Sequence, residues 1–219
     1  MICVCIADID FEQCRLVLND IEMAEIRLDL LNFSPAQVKE IFSKHPQLIA
    51  TYRPGRINMS EEERKELLIS AVNAGAAYVD VEIETETAFK EAVKQACWKK
   101  GCKLIISYHN FEKTPSKDEL ETIIEQCFKD DADIAKVACQ VNGEADAARI
   151  LSLYDYDRES CSEKKIVVLG MGEKGKIIRL VAPLLGAPFT FAALSAGKET
   201  APGQLDRQTL QDILDRIKG

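Results

Sequence analysis

Positive charge is in short supply in this chain: 28 lysines and arginines face 36 aspartates and glutamates, a formal net charge of −8 over 219 residues. Nucleic acid and anionic membrane would find no basic face to dock on, so an anionic ligand must be held by a few placed arginines. Long apolar runs are missing as well. Nowhere do about 18 consecutive apolar residues occur, and the opening MICVCIADIDFEQC lacks a basic n-region and meets Asp8 and Asp10 at once, which predicts neither a membrane span nor an export signal. The eight cysteines (3, 5, 14, 97, 102, 127, 139 and 161) form no Cys-x-x-Cys pair, and neither of the two histidines stands at ligand spacing. Reduced thiols in the cytoplasm fit this pattern better than disulfides or a metal site. No Pro/Gly/Ser-rich linker and no break in composition divides the sequence, so one domain over residues 1–219 is expected.

What is present is an ordinary globular composition, 47% hydrophobic and 29% charged, arranged as short β-branched runs between longer amphipathic stretches. Eight runs have strand length: ICVCIA (2–7), AEIRLDL (24–30), QLIATY (47–52), AYVDVEI (77–83), KLIISY (103–108), DIAKVA (133–138), KIVVLG (165–170) and PFTFAA (188–193). Helix starts are marked by Ser34-Pro35 and by the capping-box pairs Ser60/Glu63 and Ser116/Glu119, and a last helix is expected over roughly 205–218. Eight such units predict the α/β class and a single (β/α)8 TIM barrel; a doubly wound open sheet is the competing arrangement.

Alternation along the strands assigns the faces. On the second strand Glu25, Arg27 and Asp29 share one side and Ala24, Ile26, Leu28 and Leu30 the other; on the fourth, Asp80, Glu82 and Glu84 oppose Val79, Val81 and Ile83. Helices cover the outer face of a parallel barrel, so the charged side lines the interior, where a purely structural role is costly and a polar small-molecule ligand is expected. The same parity aims Thr51 and Arg53, Ser107 and His109, Ile134 and Lys136, Leu169 and Met171, and Phe189 and Phe191 inward, mostly near the C-terminal strand ends where barrel enzymes keep their active sites.

Lys136, in the apolar run IAKVA (134–138), is the sharpest of these residues. An unpaired ammonium there is expensive; desolvation favours the neutral amine, which can attack a carbonyl to form a Schiff base. An ion pair, or a strand-end lysine that snorkels to water, would account for it equally. His109, after strand five, stands one strand away, within about 5 Å in a barrel, and can supply the proton transfers that imine chemistry needs; a hydrogen-bonded strand-end residue is the plainer reading. Arg27, Arg53 and Arg179 are the candidates to grip a carboxylate, although Arg27 could serve only to neutralise Asp80 or Glu82, and Arg179 could be a solvated helix residue. The loop KETAPGQLD (198–206) suits a lid. Gly170-Met171-Gly172-Glu173-Lys174-Gly175 fits GxGxxG, but Phe189 and Thr190 stand where a ribose-binding acid would be needed and only one more strand follows, which argues against a dinucleotide.

Taken together, EIRLDL with Arg53 in TYRP, SYHNFEKTP, IAKVA, GMGEKGKIIR and TFAALSAGKETAPGQ resemble, in order and over nearly the whole chain, the type I 3-dehydroquinate dehydratases. The resemblance implies a TIM barrel, a homodimer, and dehydration of 3-dehydroquinate to 3-dehydroshikimate with neither metal nor organic cofactor. It implies Lys136 as Schiff-base lysine, His109 as general acid-base, Glu25, Arg27 and Arg53 as hydroxyl and lumen contacts, and Arg179 as the carboxylate arginine. Met171 and Phe191 would be apolar walls, Gln204 the lid glutamine, and Thr200 would stand in for a serine. Three departures stand out. Ile57 occupies the place of a glutamate that orients the histidine, with Glu61 a substitute if the loop folds back; the lid carries a small insertion between Phe191 and Gln204; and Cys5 replaces a strand-one serine. A class I aldolase acting on a sugar phosphate shares the barrel and the strand-six lysine, and a non-catalytic ligand-binding barrel is the reading from a different class.

Overall fold

The computed structural model describes residues 1–55, 59–155 and 164–218; Ile57 and Cys161 lie outside the described residues. Its strands are β1 (Ile2–Ile6), β2 (Met23–Arg27), β3 (Leu48–Thr51), β4 (Tyr78–Glu82), β5 (Lys103–Asn110), β6 (Ile134–Gln140), β7 (Lys165–Met171) and β8 (Thr190–Ala193). All pair in parallel in the order β7-β6-β5-β4-β3-β2-β1-β8. Because β1 pairs with both β2 and β8, the sheet curls into a nearly closed barrel with its seam between β7 and β8, and the doubly wound alternative is excluded.

Helices alternate with the strands: α1 (Phe11–Leu18), α2 (Pro35–Lys44), α3 (Glu61–Ala74), α4 (Thr87–Lys100), α5 (Lys117–Lys129), α6 (Glu144–Leu151), α7 (Lys176–Leu185) and α8 (Arg207–Lys218). Ser60 and Ser116 cap their helices in reciprocal capping boxes, as their spacing predicts; Ser34, expected as an N-cap before Pro35, forms a box with Gln37, and Asp10 one with Gln13, neither box having been foreseen. Such a cap contributes about 1 kcal/mol.

The outward strand residues Val4, Ile26, Val79, Ile106, Val137 and Val168 are sealed beneath these helices, each side chain worth about 1.5–3 kcal/mol of burial. Inside, Cys3, Met23, Ile49, Ile105, Ile134, Val167 and Phe189 fill a second, separate apolar cluster. Glu25, Thr51, Asp80, Ser107 and Lys136 are buried further toward the C-terminal strand ends, so the lumen is apolar below and charged above.

Strand ends differ from expectation in ways that bear on the site. β5 and β6 each run two residues further than their apolar runs, which puts His109 inside β5, paired in register with Ala138. β2 stops at Arg27 because the Arg27 guanidinium turns back on Asp29 while the Leu30 N–H bonds the Arg27 carbonyl. β8 starts at Thr190, after Pro188, which has no N–H for a ladder.

The glycines of the GxGxxG stretch serve packing. A Cβ on Gly170 would stand 2.6 Å from the Gly175 Cα, so β7 and the turn leading into α7 touch backbone to backbone. Gly172 has φ +80° and accepts the lid, its N–H bonding the Pro202 carbonyl at 3.2 Å. Gly170→Ala should therefore cost about 1–3 kcal/mol through overpacking. Urea denaturation checks this, and an unchanged midpoint would contradict the close approach.

Candidate active site

The charged lumen is a lattice of alternating signs. Lys136 Nζ lies 2.8 Å from Asp80 Oδ2 and 3.4 Å from Glu25 Oε1. Arg53 bridges Asp80 Oδ2 and Glu82 Oε1, each at 2.7 Å, and donates to Ser107 Oγ at 3.0 Å. Ser107 in turn donates to Asp80 Oδ1 at 2.6 Å, and Thr51 to Glu25 Oε1 at 3.0 Å. Arg27 forks onto Asp29 at 2.9 and 2.7 Å, so its neutralising partner is Asp29 rather than Asp80 or Glu82. The Phe191 ring sits 4.3 Å from Lys136 Nζ, a cation–π contact that keeps water from the amine's apolar side.

These contacts set the protonation states. Burial would lower Lys136, yet Asp80 and Glu25 outweigh it, and the amine is held above its ordinary value. The expectation of a neutral resting amine is thereby corrected: desolvation acts as anticipated, but two carboxylates supply more than it removes. Burial would raise Glu25, which Lys136, Arg27 and Arg53 nevertheless hold low; Asp80 is depressed further, with Arg53 and Lys136 overcoming its desolvation. His109 moves the other way. Burial, then the charges of Arg53 and Lys136, push its imidazole well below the usual range, so it is neutral and can accept a proton.

No hydrogen bond to the His109 ring occurs among the described residues; the ring stacks on Phe111, with centroids 6.1 Å apart and planes within 13°. Glu61 does not fold back onto it. As the first residue of α3, Glu61 lies 2.7 Å from Arg64 Nη2 instead.

Arg179 departs from the lattice. Its side chain is 1% exposed, its Nε has no hydrogen-bond partner, and its only described contact of that kind is Nη1 to the Phe191 carbonyl at 3.4 Å. Burial lowers it to about 10. A buried guanidinium without a carboxylate partner among the described residues has the hydrogen-bonding capacity to take an anion. The lid closes over the same space: Thr200 N and Oγ1 donate to Gln204 Oε1 at 2.8 and 3.2 Å, Gln204 Nε2 reaches Cys5 Sγ at 3.3 Å, and Cys5 Sγ donates to Glu25 Oε2 at 3.2 Å. Burial and then the Glu25 charge push the Cys5 thiol up to about 12, so it acts as a neutral hydrogen-bonding group.

These walls enclose a cavity of about 400 Å³ at the C-terminal strand ends. Such a cavity has room for a compact polar molecule that presents one anionic group.

A family profile described as type I 3-dehydroquinase matches residues 2–219. The 3-dehydroquinate dehydratase of Methanococcus maripaludis is 36% identical over 225 residues, all of both chains, and that of Methanocaldococcus jannaschii is 38% identical over 196 residues, 88% of this chain and 86% of its own. Among solved structures, the type I 3-dehydroquinate dehydratase of Clostridium difficile with covalently modified comenic acid superposes with a TM-score of 0.86 at 25% identity, covering 99% of this chain and 91% of its own. The chain belongs to the type I 3-dehydroquinase family.

For this dehydroquinase barrel, all ten residues singled out in the sequence (Glu25, Arg27, Arg53, His109, Lys136, Met171, Arg179, Phe191, Thr200 and Gln204) line the cavity. Asp80 and Ser107 were not singled out as site residues, although strand parity marked both as inward. Arg64 gave no sequence signal at all, since it sits in SEEERKELL, which reads as a solvated helix face. Among the described residues no group of three His, Cys, Asp or Glu side chains is placed to hold a metal ion.

The signs of these shifts predict how stability follows pH. Depressed carboxylates such as Asp80 and Glu25 stabilise the fold above their unfolded values of about 4, and that contribution is lost as pH falls through the folded values. Urea midpoints measured from pH 7 down to pH 2 should fall less steeply in Asp80→Asn than in the wild type. Equal slopes would contradict the assignment.

Proposed function

We propose that this chain dehydrates 3-dehydroquinate to 3-dehydroshikimate through an imine on Lys136, the whole chain acting as one catalytic domain. The observation that carries the reading is the pairing of a buried lysine, braced by two carboxylates, with the uncompensated guanidinium of Arg179 on one cavity. Family membership supplies the substrate.

The resting ammonium fits this chemistry. Ammonium plus ketone yields iminium plus water with no net change of charge, so Asp80 and Glu25 brace the product of the addition as they brace its precursor. Two of the three protons on Nζ have to pass to the carbonyl oxygen, which departs as water, and neutral His109 is the shuttle. The iminium then serves as the electron sink. His109 removes the adjacent C–H proton to leave an enamine, the enamine expels the neighbouring hydroxyl with the proton returned from His109, and water hydrolyses the conjugated iminium. One substrate gives one product and one water, and the lysine ends as it began.

Arg179 would take the substrate carboxylate, Glu25, Arg27, Arg53 and Gln204 the hydroxyls, and Met171 and Phe191 the ring faces; Thr200 braces Gln204 in the closed lid. All seven described cysteines are free, which suits a reducing cytoplasm, and no described helix is long and apolar enough to cross a membrane. A homodimer accords with the family resemblance and with the outer face of α7, where Ile177 and Leu184 are exposed with half-buried Leu180 and Val181 between them.

Borohydride added with dehydroquinate should leave a mass increase on Lys136, and enone absorbance should appear with the wild type and vanish in Lys136→Met. Turnover surviving in that variant would sink the mechanism. Arg179→Met should raise KM about 10–100-fold, the value of one charge-assisted hydrogen bond, with kcat less affected. An unchanged KM would remove Arg179 from carboxylate binding.

A further inference from the structure

Arg64 lies outside the cavity lining, on a helix of the outer layer, yet its side chain is 2% exposed and reaches the barrel mouth. Nη1 lies 3.1 Å from Glu82 Oε2 and donates to the Tyr52 carbonyl at 3.3 Å; Nη2 lies 2.7 Å from Glu61 Oε2 and donates to Thr85 Oγ1 at 3.3 Å. The guanidinium covers the Phe89 ring at 4.3 Å, which fixes its plane. The other oxygen of Glu82 belongs to Arg53, whose second nitrogen holds the same Asp80 oxygen that holds Lys136. An unbroken chain of alternating charge thus runs Arg64–Glu82–Arg53–Asp80–Lys136.

We propose that Arg64 is a positioning residue for the reaction: by supplying half of the charge that Glu82 needs, it leaves Arg53 free to hold Asp80 when Lys136 gives up its proton to attack. The proposal rests on the imine reading of Lys136. Its physical basis is the sharing of one guanidinium between two carboxylates. With Arg64 gone, Glu82 draws on Arg53 alone, Asp80 leans harder on Lys136, and the amine holds its proton more tightly. The loss of a buried positive charge acts in the same direction. Lys136 is also faced by Glu25 from β2 and by His109 from β5, with Arg27 of β2, Glu84, the Cys5 thiol of β1 and the Arg179 guanidinium of α7 bordering the same cavity. None of these touches Arg64 among the described contacts.

The experiment reads the amine in two ways. The acid limb of kcat/KM with dehydroquinate should move up by about one pH unit in Arg64→Gln, a tenfold loss on that limb, and return to within a few tenths of a unit of wild type in Arg64→Lys. His109 would shift the limb in the same sense, so the pH midpoint for acetylation of Lys136 by acetic anhydride, read by peptide mass, isolates the amine and needs no turnover. That midpoint should rise in Arg64→Gln. Glu61 is exposed and shares Arg64, so Glu61→Gln leaves Arg64 to Glu82 and should lower the midpoint by a few tenths of a unit; it carries the test if Arg64→Gln does not fold. Rates scaled down equally at every pH with the Lys136 midpoint unmoved would overturn the proposal, as would a Glu61→Gln shift upward. Midpoints that move as expected in a protein inert toward dehydroquinate would refute the dehydratase reading and leave the role of Arg64 standing.

Discussion

The contact between Lys136 and Asp80 is the one on which the rest of the site depends. An ammonium and a carboxylate removed from water each lose solvation worth several kcal/mol, and their mutual attraction returns it only when other partners complete both groups. Every neighbouring group serves that completion. Glu25 takes a second side of the amine, Arg53 and Ser107 hold both oxygens of Asp80, and the Phe191 face closes the apolar side. Removing one partner would leave a buried charge unanswered, which is why the lumen carries charges of both signs and not one lysine in an oily pocket.

In the proposed mechanism, with Lys136 as the nucleophile, that arrangement has a chemical consequence. A depressed amine would be ready to attack but would leave the iminium unsupported; here the carboxylates favour the cationic forms on either side of the addition, and burial keeps the neutral form from lying too far out of reach. His109, pushed toward neutrality by burial and then by the same cations, is in the proposed mechanism the mobile proton carrier. Burial and one set of charges together thus assign opposite protonation states to two residues on adjacent strands, the division of labour that acid-base catalysis requires. Arg179, buried with no carboxylate partner among the described residues, is in the proposed reading the other half of the site, its charge answered by the substrate carboxylate.

Much of this was legible in the linear sequence. Period-two alternation in EIRLDL and YVDVE separated the wet from the dry face of each strand, because a parallel strand in a barrel has helices on one side and the lumen on the other. Ser34, Ser60 and Ser116 marked helix starts because a capping box is a local arrangement, complete within four residues. Inward direction and height in the barrel, and hence the grouping of Lys136 and His109 with Arg27 and Arg53, followed from strand parity and strand ends, whereas Arg179 comes from α7.

What the sequence determined by itself was therefore the fold class, the inward residues and, through six ordered motifs, the family. Which charges pair was decided only by tertiary structure. Arg27 chose Asp29, Glu61 chose Arg64 over His109, and Arg64 left an apparently solvated face to join Glu82, since each choice turns on ångström distances that only the folded chain fixes. The protonation state of Lys136 was decided there as well: the run IAKVA announces desolvation, but the carboxylates that outweigh it arrive from β2 and β4, 111 and 56 residues away. Local sequence encodes direction and burial, whereas electrostatic balance is a sum over neighbours that only the closed barrel assembles.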